Sequence, residues 1–190
     1  MKLISKALFS FIAAAAIAVA FGSYFDNSVS AHDGDERCGN ECRKQLARVR
    51  AATAKYHDVD EALLDGYVPV GGCVALPTGP AMGVHYVNIQ KVDGEINVND
   101  PEILVYSPEA DGGLRLVAVE YMIPKVLVSD LPELFGQPFH DGPMDTWTLH
   151  AWVWKNNPAG MFEDFNPKVS CPAAEEPSER KRRARQSAFF

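Results

Sequence analysis

Leu114-Arg115-Leu116-Val117-Ala118-Val119-Glu120-Tyr121-Met122-Ile123 is the stretch whose reading decides the fold. β-Branched, aromatic and aliphatic residues fill it, and Gly112-Gly113 marks its start, as expected of a strand. Alternation places Leu114, Leu116, Ala118, Glu120 and Met122 on one face, and Val117, Val119 and Tyr121 on the other. Both faces are apolar, so the strand belongs to a sheet covered on both sides or curled into a barrel. Glu120 is the exception. A carboxylate at mid-strand must be paired, protonated or metal-bound, because an uncompensated buried charge is costly.

Three further segments share this texture: Met82 to Ile89, Glu102 to Ser107 and Thr146 to Trp154. In the last, Thr148, His150, Trp152 and Trp154 share a face, so His150 poses the same problem as Glu120. Asp93-Gly94 and Asp111-Gly112-Gly113 are turn signals between the segments. Tyr67 to Val70 reads as short and extended, and Gly71 to Gly83 as a Gly/Pro-rich loop. Asp130 to Asp145, with its prolines and glycines around Phe135, Phe139 and His140, reads as a long loop able to close over a site.

Upstream, Leu46, Val49, Thr53 and Tyr56 recur at helical spacing, with Asn40 as a candidate N-cap and Gly66 as a stop. Basic residues precede acidic ones along this stretch, which opposes one continuous helix dipole. Asp58 followed by Glu61 resembles a fresh capping box, so a break is expected near His57-Asp58. A helix followed by an antiparallel meander gives an α+β domain. It is expected to be a kinked amphipathic helix packed on a curved antiparallel sheet of about four strands, cystatin-like or barrel-like.

The chain has 190 residues. Lys2 and Lys6 lead into the apolar run Ala7 to Gly22, and Ser28-Val29-Ser30-Ala31 follows, the pattern of a cleavable signal peptide over residues 1–31. An uncleaved N-terminal anchor is the alternative, disfavoured by the shortness of the run. Residues 32–42 read as a mobile segment, 43–171 as one α+β domain and 172–190 as a disordered basic tail. Cleavage removes two lysines and one aspartate, moving the formal net charge from −7 to −8. That balance argues against nucleic acid as a partner. Membrane contact is expected only through the signal segment or the basic tail around Arg180 to Arg185, and the destination is secreted, periplasmic or extracellular. Four cysteines in an exported chain read as two disulfides, with Cys73–Cys171 and Cys38–Cys42 the favoured pairing.

His85, Glu120, His140 and His150 form the candidate site. Neutral imidazoles and an ionised carboxylate donate lone pairs to a cation, and the cation removes their burial penalty; this donor set suits zinc, copper or iron. The set is similar to the three histidines and one glutamate of cupins. It departs from them in running His, Glu, His, His without a His-x-His pair. The leading reading is an exported binding protein holding a metal ion or small ligand in a pocket of the sheet. The alternatives are a metal-dependent enzyme using the same site and a structural or interaction domain with a Glu120–His150 core pair. His32, which cleavage would leave as an N-terminal copper chelate, is a further metal candidate. No nucleophile elbow, phosphate-binding loop or His-Glu-x-x-His motif occurs.

Several strings carry a resemblance. They are Met82-Gly83-Val84-His85-Tyr86-Val87, Val119-Glu120-Tyr121, Leu134-Phe135-Gly136-Gln137-Pro138-Phe139, His150-Ala151-Trp152-Val153-Trp154-Lys155-Asn156-Asn157-Pro158, continuing through Ala159-Gly160-Met161-Phe162, and Asn166-Pro167-Lys168-Val169-Ser170-Cys171. They resemble a widespread group of secreted bacterial proteins, over most of the chain from about Leu46 to Cys171. The resemblance implies common membership and no particular activity.

Overall fold

The structure is a computed structural model and describes Cys38 to Pro172, apart from Thr78. The expected signal peptide, the segment before Cys38 with His32, and the tail beyond Pro172 lie outside the described residues. Among the described residues no helix is long and apolar enough to cross a membrane.

Helix α1 spans Asn40–Thr53, tightens into a 3-10 turn at Ala54–His57, and is followed by α2, Val59–Leu64. The break falls where the sequence places it. Asp58 caps α2, its side chain accepting from the Asp60 amide at 3.0 Å. The N-cap of α1 is Gly39 rather than Asn40, without a side-chain capping bond. The helix therefore begins before residue 43, and Cys38 and Cys42 are both buried at its start. Cys42, Leu46, Val49 and Thr53 form its buried stripe.

Eight strands follow: β1 Val68–Ala75, β2 Ala81–Val87, β3 Ile103–Pro108, β4 Leu114–Pro124, β5 Glu133–Leu134, β6 Gln137–Pro138, β7 His140–Gly142 and β8 Thr146–Ala151. Six form one antiparallel sheet in the order β1-β2-β3-β4-β8-β7, and β5 with β6 is a small separate hairpin. The sheet thus has six strands, not about four. One missed strand is β1. Gly71 and Gly72 are not loop; they are the extra residues of a bulge, since Val70 pairs with His85 and Cys73 with the adjacent Val84. The other is β7, inside the stretch read as a loop. His140 pairs there with Thr148, so it stands on an edge strand.

A second bulge corrects the phase of the opening stretch. Val105 pairs with Ala118 but Tyr106 with Leu116, leaving Val117 unpaired on β4. Leu116 consequently packs with Val119 and Tyr121 on the helix side, while Val117 and Ala118 both join Ile103, Met122 and Trp152 on the other. An unbroken alternation cannot anticipate this, because one inserted residue swaps the faces beyond it. Gly83 sits beside the same irregularity: a Cβ there would lie 2.4 Å from the Tyr106 carbonyl oxygen. Trp154 also changes side, because β8 ends at Ala151; its indole N–H donates to Thr53 Oγ1 at 3.1 Å.

α1 packs on one face of this sheet. Val70 and Val74 from β1 line the same cavity as His140 and Gly142 from β7, at opposite ends of the strand order. The sheet is therefore curled into a half-barrel about the face away from the helix. The barrel-like expectation forms. Disulfide Cys73–Cys171 ties β1 to the end of the domain across 98 residues, and Cys38–Cys42 closes the start of α1. No cysteine is free, as expected in an oxidising compartment.

Candidate metal centre

Glu120 stands at the middle of β4, with Ile103 of β3 on one side and His150 of β8 on the other. His85 lies on β2, on the far side of β3. In a flat sheet the three strand steps from β2 to β8 would hold His85 and His150 roughly 14 Å apart. The curl brings their rings to 5.8 Å between centroids. His85 Nε2 is 3.5 Å from Glu120 Oε2, and His150 Nδ1 is 3.7 Å from Glu120 Oε1. One donor atom from each of His85, Glu120 and His150 lies within 4.8 Å of the others.

His140 is not in that trio but adjoins it through a residue that the sequence reading did not single out. Asp164 Oδ1 lies 2.9 Å from His140 Nε2 and 3.5 Å from His150 Nδ1. The loop carrying Asp164 is firmly held. The Glu163 carbonyl accepts from the Trp152 indole at 2.5 Å, Asn157 donates to the Phe165 carbonyl at 3.1 Å, and Asn166 bridges to Ala81. A signal for Asp164 was available: the acidic pair Glu163-Asp164 interrupts an otherwise apolar Met161-Phe162 and Phe165. His57 has no part in the site; its ring packs edge-on at 4.3 Å against Trp154 on the helix side.

These contacts are close without being well-aligned hydrogen bonds. His140 Nε2, both ring nitrogens of His150 and Asp164 Oδ1 are buried without a hydrogen-bond partner. His150 is 1% exposed. Burial works against a charge on His150, but Glu120 and then Asp164 outweigh it and hold its pKa above the ordinary imidazole value. Burial lowers the pKa of His85, against the pull of Glu120 and with the help of His150. Burial would raise the Asp164 carboxyl, yet contact with His150 and the charges of His150 and His140 bring it below the usual carboxylate range.

The residues fit a metal ion. Donors around a tetrahedral zinc-like ion at about 2.0–2.2 Å stand roughly 3.3–3.6 Å apart; the two histidine–glutamate pairs, at 3.5 and 3.7 Å, are near that spacing, and the trio as a whole lies within 4.8 Å. Two imidazoles and a carboxylate are a donor set for zinc or non-haem iron, and the unsatisfied Nδ1 of His150 is open to coordination. His85, Glu120, His140 and Asp164 also line a cavity of about 400 Å³, so the centre is reachable.

The chain matches no protein-family model, no curated protein and no solved structure.

Proposed function

We propose that this protein is an exported member of the secreted bacterial group its strings resemble, and that it binds a transition-metal ion, zinc, copper or iron, through His85, Glu120 and His150. His140 and Asp164 supply further donors or orient the first three. The observation that carries the reading is His150: a fully buried imidazole with neither nitrogen satisfied, set between two carboxylates and a second imidazole. Leaving such a group unpaired costs about 1–3 kcal/mol, and a cation bound at Nδ1 removes that cost for the nitrogen that faces the two carboxylates. The cavity beside the donors favours an accessible centre, as a carrier of small ligands or a metal-dependent enzyme requires.

A second reading has its own support. The raised pKa of His150 means that Glu120 and Asp164 can accommodate an imidazolium, so a proton could stand where the metal is placed. Thermal unfolding separates the two. With zinc at a hundred times its dissociation constant, the metal reading expects about 2.7 kcal/mol of added stability, lost with chelator. Glu120→Gln, which keeps the shape and removes the charge, should abolish most of that increment and lower metal content by elemental analysis. A wild type that carries no metal, and whose melting is blind to zinc and chelator alike, would leave the proton-sharing network standing and remove the metal.

A further inference from the structure

The donors occupy one end of a cavity of about 400 Å³, and most of the rest of its wall is apolar. At roughly 30 Å³ per water, that volume corresponds to about 13 waters, the scale of a small organic molecule rather than a bare ion. The wall is assembled from both edges of the sheet. Val70 and Val74 of β1 face Pro143 and Met144 of the β7–β8 turn. Val70 is paired with His85, and Ile103, also in the wall, with Glu120, so the apolar surface adjoins the donors directly.

Two features mark the wall as a ligand surface rather than leftover space. Three of the four methionines among the described residues, Met82, Met122 and Met144, line it. Methionine is flexible and polarizable and suits a wall that must adapt to an occupant. Met144 moreover sits where its residue type is disfavoured. It and Asp145 have φ of 54° and 59° at the tip of the hairpin, a turn that usually takes Asn and Gly. There it leaves a large apolar side chain 83% exposed at the cavity rim. The lining carries Glu120, Asp141 and Asp164 but no lysine or arginine. An anionic ligand would find no lysine or arginine in the wall to pair with.

We propose that this cavity binds a small, neutral, predominantly apolar molecule. Its polar end turns to His85, Glu120, His140 and Asp164, and its body packs between the β1 edge and Met144. The proposal shares residues with the metal centre and names the ligand class that centre would serve.

The test is fluorescence titration of the full exported chain with two probes of one skeleton: neutral N-phenyl-1-naphthylamine and anionic 1-anilinonaphthalene-8-sulfonate. The neutral probe should bind saturably at one site, at least tenfold more tightly than the anionic one. Val70→Trp, which blocks the mouth, and Met144→Glu, which charges the rim, should each weaken it at least tenfold. Both positions are exposed, so their melting should stay near wild type; should Val70→Trp fail to fold, Met144→Glu alone carries the comparison. Absence of saturable binding, equal affinity in a folded variant, or preference for the sulfonate would each overturn the proposal. Zinc titrations on the same samples keep the two readings apart. A protein that binds the neutral probe but no zinc retains the cavity ligand and loses the metal; one that binds zinc but no probe does the reverse.

Discussion

The two faces of the sheet bury polar atoms on opposite terms. On the helix side three fully buried tyrosines each end their hydroxyl on a backbone carbonyl. Tyr67 donates to Pro101, Tyr106 to Tyr56 and Tyr121 to Val98, each at 2.7 Å. Burial pushes all three phenols far above their ordinary pKa, so they remain neutral donors. On the site side, both nitrogens of His150, Nε2 of His140 and Oδ1 of Asp164 are buried with open valences. The same strands carry both arrangements, so burial alone does not explain the second. Satisfied polar groups specify packing; converging unsatisfied ones ask for a ligand.

The sharpest way to break this contrast is Tyr106→Ala. It removes a fully buried aromatic that holds the 3-10 turn after α1, and should cost about 3–5 kcal/mol by denaturant unfolding. The loss should be the same with zinc or chelator, unlike that of Glu120→Gln. A metal-dependent loss for Tyr106→Ala would dissolve the distinction between the faces.

Glu102 sharpens it from another direction. It is buried beside the helix-side tyrosines and accepts from the Met122 amide at 3.1 Å. Burial raises its pKa to about 8, aided by the charges of Asp93 and Asp100, though its hydrogen bonds pull the other way. The folded state therefore holds a proton that the unfolded chain releases near its ordinary value. Stability should fall as pH rises from about 4.5 through about 8, by up to about 1.4 kcal/mol per unit. Glu102→Gln should flatten this contribution in urea titrations run across that range, whether or not metal is present.

Smaller still is Tyr121→Phe, which strands the Val98 carbonyl and should cost about 1 kcal/mol. The smallest expected effect is a coupling. Tyr106 and Glu120 lie on opposite faces and share no partner, so Tyr106→Ala and Glu120→Gln should add within about 0.5 kcal/mol. A larger coupling energy in the double-mutant cycle would mean that the sheet transmits strain between the core and the site.

Much of this was legible in the residues themselves, because their signals are local. Helical spacing from Leu46 to Tyr56, the break at Asp58 and strands β2, β3, β4 and β8 follow from periodicity and turn chemistry. The cysteine pairing is the one favoured from sequence. Glu120 and His150 stood out because a charge or imidazole amid strand-forming apolar residues is anomalous wherever the strand lies. What only the tertiary structure decided is non-local. The bulges at Gly71-Gly72 and Val117 depend on which partner strand is opposite, so they hid β1 and inverted the phase near Leu116. The small β7 strand exists only because β8 is beside it. The curl brings His85 within reach of Glu120 across an intervening strand, and Asp164, a loop acid distant in sequence from His140, comes to lie between two histidines. Residue type announces which groups cannot be buried alone; the curvature of the sheet determines what they are buried with.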